Sequence, residues 1–293
     1  MTVAETIQPV THDLGQFQVR RVLPSRGRTM VGPFIFVDEF GPAQLAVGAG
    51  MDVRPHPHIN LATVTWLFEG AIDHRDSLGT FATIHPGQVN LMTAGRGIVH
   101  SERSPQEERQ GGKLYGMQTW LALPDGAEEI DPAFEARTDL PVVEDRCARA
   151  TVIMGELWGA RAPTTTYAAT IYAEIVLAPG GALPVDAEAD ERAVMLVGGE
   201  ATLDGHPLEP FALAVLAPGA AMGLASERGG RVMLLGGEAF ASPRHVWWNF
   251  VSSRRERIAQ ARDDWRAGRF PLVPGDSEEF IPIPDRPNTV SYP

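Results

Sequence analysis

Cysteine is nearly missing from this chain, with one residue, Cys147, in 293. That excludes an internal disulfide framework and suits a reducing compartment. Long apolar runs are also missing, and none approaches the roughly 20 residues a helix needs to span a bilayer. Positive charge is in deficit: 25 Lys and Arg stand against 37 Asp and Glu, for a net charge of -12. Nucleic acid and anionic membrane are held chiefly by Lys and Arg, so neither is an expected partner, whereas a protein partner with a basic surface is compatible with this charge. The N-terminus carries Glu5 and has no apolar core segment, so it does not read as a signal peptide. A cytoplasmic location is expected.

The remaining composition is that of a globular protein, with 44% hydrophobic and 21% charged residues. A length of 293 residues fits two domains of roughly 120 residues each. Thirty Gly and 24 Pro favour many short strands and tight turns over a helical bundle.

The strand pattern is densest in the first half. Gln16 to Leu23 alternates in part, and Val31 to Phe40 is a mostly apolar strand in which Pro33 marks a start or an edge. Four short strands, near 61–68, 71–76, 80–84 and 88–92, fit between His58 and His100, separated by Glu69-Gly70, Ser77-Leu78-Gly79 and His85-Pro86-Gly87. Helical periodicity is absent there, and the pattern is that of a small antiparallel barrel. Residues 103–113 are polar and glycine-containing, which reads as a mobile loop.

Two pairs of possible metal ligands frame this barrel: His56 and His58 at one end, His100 and Glu102 at the other. Side chains i and i+2 of a strand share a face, so each pair can point one way. On neighbouring strands they would place three imidazoles and a carboxylate around one point. That donor set suits iron, manganese, nickel or zinc better than calcium or magnesium.

Residues 150–240 read as a worn copy of the first barrel. Gly70 aligns with Gly199, and both copies run nine residues from a proline to a closing glycine (86 to 95, 210 to 219). Counting along the copy puts the ligand positions near Val185, Ala187, Leu224 and Ser226, none a good ligand. After Trp247-Trp248, the run Ser253-Arg254-Arg255-Glu256 has capping-box spacing. Ile258, Ala261 and Trp265 then form one face of a short helix, and Gly268 is placed to end it. The proline-rich stretch from Phe270 is expected to wrap over a barrel.

The motifs His56-Pro57-His58, His74-Arg75-Asp76-Ser77-Leu78-Gly79 and Met92-Thr93-Ala94-Gly95-Arg96-Gly97-Ile98-Val99-His100-Ser101-Glu102 resemble the pirin family of two-domain cupins. The likeness is dense over roughly residues 50–105. It implies an all-β fold of two cupin barrels (double-stranded β-helices) in tandem, with a short C-terminal helix and an irregular tail. The expected divisions are 1–126 for the barrel with the metal site, 127–149 for a linker, 150–245 for a barrel without ligands, and 246–293 for the helix and tail. The resemblance implies one mononuclear iron held by His56, His58, His100 and Glu102, with Mn, Ni, Cu or Zn as alternatives. Where many pirins follow the histidine pair with Arg-Gly and then Glu, this chain has Ile59, Asn60 and Ala62, which replaces charged groups expected near the metal.

The other candidates read more simply. His74 and His85 sit beside turns and read as solvated rather than as support for the metal, and His12, His206 and His245 have no partner in sequence. Cys147 reads as an inert surface thiol, and Gly95-Arg96-Gly97 as a strand turn because it lacks the Lys-Ser/Thr of a phosphate loop. Two functions follow from the resemblance. One is a quercetin 2,3-dioxygenase-type oxygenase acting on a flavonol-like polyphenol, with Glu102 as general base. The alternative is a non-catalytic, iron-dependent redox-sensing regulator that binds a protein partner through residues 103–113.

Overall fold

A computed structural model of the chain describes residues 3–13, 17–145 and 147–285. Gln16, the expected start of the first strand, and the tail beyond 285 lie outside the described residues. The chain forms two compact units: one of the residues up to Val10, Arg20–Phe34 and Arg137–Phe240, the other of Thr11–Val19, Ile35–Ala136 and Ala241–Pro293. Among the described residues no helix is long and apolar enough to cross a membrane.

The first barrel is built from β1 (Phe34–Gln44), β2 (Asp52–His58), β3 (Leu61–Glu69), β4 (Ile72–Asp76), β5 (Phe81–Ile84), β6 (Val89–Thr93), β7 (Ile98–Arg103) and β8 (Lys113–Ala122). A small sheet runs in the order β2-β7-β4-β5, and a larger one contains β6-β3-β8-β1. The turns are the glycine ones the sequence predicts. Gly70 has φ +87°, and a Cβ there would meet the Lys113 carbonyl oxygen at 2.0 Å. Only glycine suits that position. Ala133–Arg137, inside the stretch read as a linker, is a strand beside β6.

Apolar residues close both faces of this barrel. Leu67, Ile72, Ile84, Leu114 and Met51 form one cluster, and Trp66 is almost wholly enclosed. Fully burying side chains of this size contributes roughly 1.5–3 kcal/mol each. β4 breaks the rule. Its alternation buries Ile72, His74 and Asp76 and leaves Asp73 and Arg75 partly exposed, so two polar side chains point inward.

The second barrel repeats the plan with β9 (Thr170–Leu177), β10 (Ala182–Val185), β11 (Glu191–Gly199), β12 (Thr202–Leu203), β13 (His206–Pro207), β14 (Leu213–Leu216), β15 (Met222–Ala225) and β16 (Gly230–Gly237). The small sheet is β10-β15-β12-β13, the larger one contains β14-β11-β16-β9, and strand Val3–Ile7 pairs with β14. Register corrects the expected ligand positions here. In the first barrel His56 pairs with His100 and His58 with Ile98, and in the second Leu183 pairs with Leu224 and Val185 with Met222. The counterparts of His56 and His58 are therefore Leu183 and Val185, not Val185 and Ala187. The count slipped because residues 186–190 separate β10 from β11, whereas only Ile59 and Asn60 separate β2 from β3. Leu224 and Ser226 keep their places as counterparts of His100 and Glu102.

The tail packs on the first barrel within its own unit. Helix α1 (Arg255–Arg266) buries Ile258 and Ala261, and Trp265 joins their cluster with Phe250, Phe270 and Ile59. Gly268 follows the helix with φ +65°, as expected of a stop. The capping box does not form. The Ser253 N–H and Oγ–H both donate to the buried Glu128 carboxylate (2.6 and 2.9 Å), and Arg254 is the N-cap without a side-chain bond. Farther on, Arg103 binds Asp276 at 2.7 Å, and the Ile281 N–H donates to the Pro55 carbonyl. Residues 103–113, read as a mobile loop, contain the 3-10 turn Glu108–Gln110, and Arg109 is fastened to Asp52 and to the Ser104 carbonyl.

Candidate metal centre

β2 and β7 are antiparallel neighbours, and His56 stands directly opposite His100. The proline between the two histidines of β2 leaves their alternation intact, so His56, His58 and His100 turn to one face. All three are buried, and one ring nitrogen from each lies within 4.8 Å of the others. The ring centroids are 4.4–5.0 Å apart. The structure thus brings these three side chains together.

Their orientation is set from behind. The Nδ1 atoms of His56 and His58 lie 2.8 Å from the Arg54 carbonyl and 3.0 Å from the Asn249 carbonyl. A carbonyl can only accept, so each Nδ1 carries the proton and each Nε2 presents a lone pair inward. The Nε2 atoms of His58 and His100 face each other at 3.1 Å. Asn249 belongs to the C-terminal segment, so the tail helps aim a ring of the cluster.

Burial disfavours the charged imidazole and holds all three histidines below their ordinary value, His56 at about 4, with neighbouring imidazoles adding to the effect. At neutral pH they are uncharged, the state a cation requires. Three converging imidazoles, two of them with lone pairs directed inward by backbone carbonyls, fit a first-row divalent ion.

Glu102 is buried on β7 two residues beyond His100, but it lies outside the group of three. A bulge between His100 and Glu102 sets Glu102 opposite Val53 and, on the other side, opposite His74. Burial pushes its carboxyl up, partly offset by His74.

His74 departs from the solvated position its sequence neighbourhood suggests. His74 is buried, its ring lies 5.3 Å from His100, and it stacks on Phe134 at 4.6 Å. Its Nε2 is 3.2 Å from the Asp76 carboxylate. The signal that found the other histidines was available here too, since His74 and Asp76 are also an i, i+2 pair. His85 is exposed, in keeping with its plain reading.

Aromatic residues wall the His58 side: Trp120 meets His58 edge-on at 4.9 Å, and Phe36 stacks on Trp120 at 4.0 Å. Ile59 does not face the ions' place. It packs with Phe250, Ile258 and Ala261, and Asn60 forms a left-handed turn (φ 57°) whose amide donates to the Glu128 carbonyl. Of the departures after the histidine pair, Ile59 thus meets the tail and Asn60 holds residue 128.

Comparison with known proteins places this geometry. The pirin family model matches residues 16–121, and the model of the pirin C-terminal cupin domain matches residues 172–271. A "Pirin-like protein" of Caulobacter vibrioides is 47% identical over 278 residues, covering 93% of this chain and 96% of that protein. A Pseudomonas aeruginosa protein named "Putative quercetin 2,3-dioxygenase PA1205" is 38% identical over 277 residues, covering 92% and 87%. The crystal structure of a quercetin 2,3-dioxygenase from Acinetobacter baumannii superposes with a TM-score of 0.90 at 34% identity, covering 98% of this chain and 96% of that one.

Proposed function

The chain belongs to the pirin family, and we propose that it is a metal-dependent dioxygenase of the quercetin 2,3-dioxygenase type, with iron as its resident metal and a flavonol-like polyphenol as substrate. The observation that carries this reading is the set of three buried imidazoles converging on one point, with the lone pairs of His56 and His58 turned inward. The names borne by the Pseudomonas and Acinetobacter proteins support the substrate class.

In this reading His56, His58 and His100 hold the ion, and Glu102 supplies the fourth donor. When bound, the ion supplies Lewis acidity toward an ionised hydroxyl oxygen and redox chemistry toward dioxygen. The protein does the rest. Glu102 would accept the proton of the substrate hydroxyl. Phe36 and Trp120 shield the His58 side from water and offer an aromatic wall to a planar ring.

The test is oxygen uptake with quercetin by protein loaded with iron, copper, nickel or manganese, beside metal-free protein and the His56→Ala variant. Metal-dependent uptake that disappears in His56→Ala is expected. Absence of metal-dependent uptake, with the variant behaving like the wild type, would remove the dioxygenase assignment.

A further inference from the structure

The three imidazoles are not supported alike. His56 and His58 each rest on a backbone carbonyl, whose role as acceptor is fixed. His100 rests on another imidazole: its Nδ1 lies 3.5 Å from Nδ1 of His74. An imidazole can accept or donate, so something must decide the direction. Asp76 is placed to decide it. Its Oδ1 accepts the N–H groups of Leu78 (2.9 Å) and Thr80 (3.1 Å), which leaves Oδ2 for His74 Nε2 at 3.2 Å.

The four groups form a grid on one buried face. β7 and β4 are antiparallel neighbours, with His100 opposite Asp76 and Glu102 opposite His74. The second barrel provides an internal control. There Leu224 pairs with Leu203, and Thr202 with Ala225, so Leu203 and Ala201 occupy the places of Asp76 and His74. Both are buried in that barrel's apolar core. The pair is polar only in the barrel whose ligand positions are polar.

Resting on the metal reading above, we propose that His74 and Asp76 act as a positioning dyad that fixes the proton of His100 on Nδ1 and so keeps its Nε2 free for the cation. For His100 to bind a cation through Nε2, its proton must sit on Nδ1, and the other protons then follow in one way. The Asp76 carboxylate can only accept, so His74 donates to it from Nε2–H. With its one proton there, His74 presents a lone pair at Nδ1, and His100 donates to it from Nδ1–H. The lone pair of His100 is left on Nε2, the nitrogen that faces His58. Partners of this kind orient a ligand and raise its basicity, and their loss weakens metal affinity by about 10- to 100-fold.

Two variants test the chain of protons. Asp76→Asn keeps an oxygen for the Leu78 and Thr80 N–H groups, so its amide N–H₂ must face His74 Nε2. His74 then carries its proton on Nδ1, opposed to the Nδ1–H of His100. His74→Phe keeps a ring to stack on Phe134 and removes the acceptor. With zinc as the probe, in competition with a chelator, each variant should bind about 10- to 100-fold more weakly than wild type. His74→Gln, which offers a carbonyl acceptor, should recover part of the loss. A long-range ¹H–¹⁵N spectrum of the zinc-loaded protein should place the His74 proton on Nε2 in the wild type and on Nδ1 in Asp76→Asn. Unchanged affinity in both variants, or a His74 proton on Nδ1 in the zinc-loaded wild type, would overturn the dyad. A wild type that binds no zinc would overturn the metal reading as well, so the two failures are distinguishable.

Discussion

The two barrels of this chain share a strand plan and part company at six buried positions. The first has His56, His58, His74, Asp76, His100 and Glu102 where the second has Leu183, Val185, Ala201, Leu203, Leu224 and Ser226. In the second barrel five of these six are members of a continuous apolar core, and the Ser226 hydroxyl accepts the Gly229 N–H. The fold therefore closes without any of the polar set. A buried polar group costs about 1–3 kcal/mol when left without a partner. The first barrel buries three histidines together where its sibling shows that leucine and valine suffice, which supports the proposed metal site.

Converting the first barrel's buried set into the second's should have the largest effect. The variant His56→Leu, His58→Val, His100→Leu should fold, lose all bound metal and melt no lower than the metal-free wild type. Metal analysis and thermal unfolding check both points. Replacing buried polar partners jointly by apolar groups of similar size is commonly neutral or stabilising.

The pH response should differ next. The folded-state value of His56 is depressed to about 4, below the ordinary value of about 6.5, so the unfolded chain binds more protons between the two. The stability this group contributes is fully present above about pH 6.5 and is lost as pH falls toward 4, a change on the order of 3 kcal/mol for one such histidine. His58 and His100 are displaced the same way and act in the same direction. Denaturant titrations of the metal-free protein at pH 7 and pH 5 should show the loss, and the triple variant should lack it.

A single reverse change sharpens the contrast. Leu224→His places an imidazole in the apolar core with no partners of the kind that serve His100. It should cost about 1–3 kcal/mol in chemical denaturation and recruit no metal, because one ligand in that barrel has no companions. The smallest effect concerns the tail. Arg103→Ala breaks the pairs with Asp276 and Glu279, which are partly exposed. A loss of no more than about 1 kcal/mol is expected, together with faster proteolysis of residues 270–285.

Sequence reasoning reached the fold and the histidine cluster because both rest on period-two alternation. His56-Pro57-His58 and His100-Ser101-Glu102 carry that period openly, and so do the strands between them. It fell short wherever partners arrive from afar. Ser253 has the spacing of a cap, but Glu128, more than a hundred residues earlier, claims both of its groups. Ile59 looked like a change beside the metal, but its strand neighbour His58 takes the inward face and Ile59 meets the tail. His74 looked solvated beside its turn, and only the pairing of β4 with β7 brings it behind His100. Counting placed two ligand counterparts two residues late, because a longer connector in the second barrel does not show as a change of pattern.

Whether three imidazoles of the first barrel hold an ion can be read from X-ray absorption at the metal edge of iron(II)-loaded protein. One ion per chain with three imidazole nitrogens and oxygen donors in its shell is expected, with loss of that ion in the triple leucine and valine variant. A shell without imidazole, or equal iron content in the variant, would contradict it.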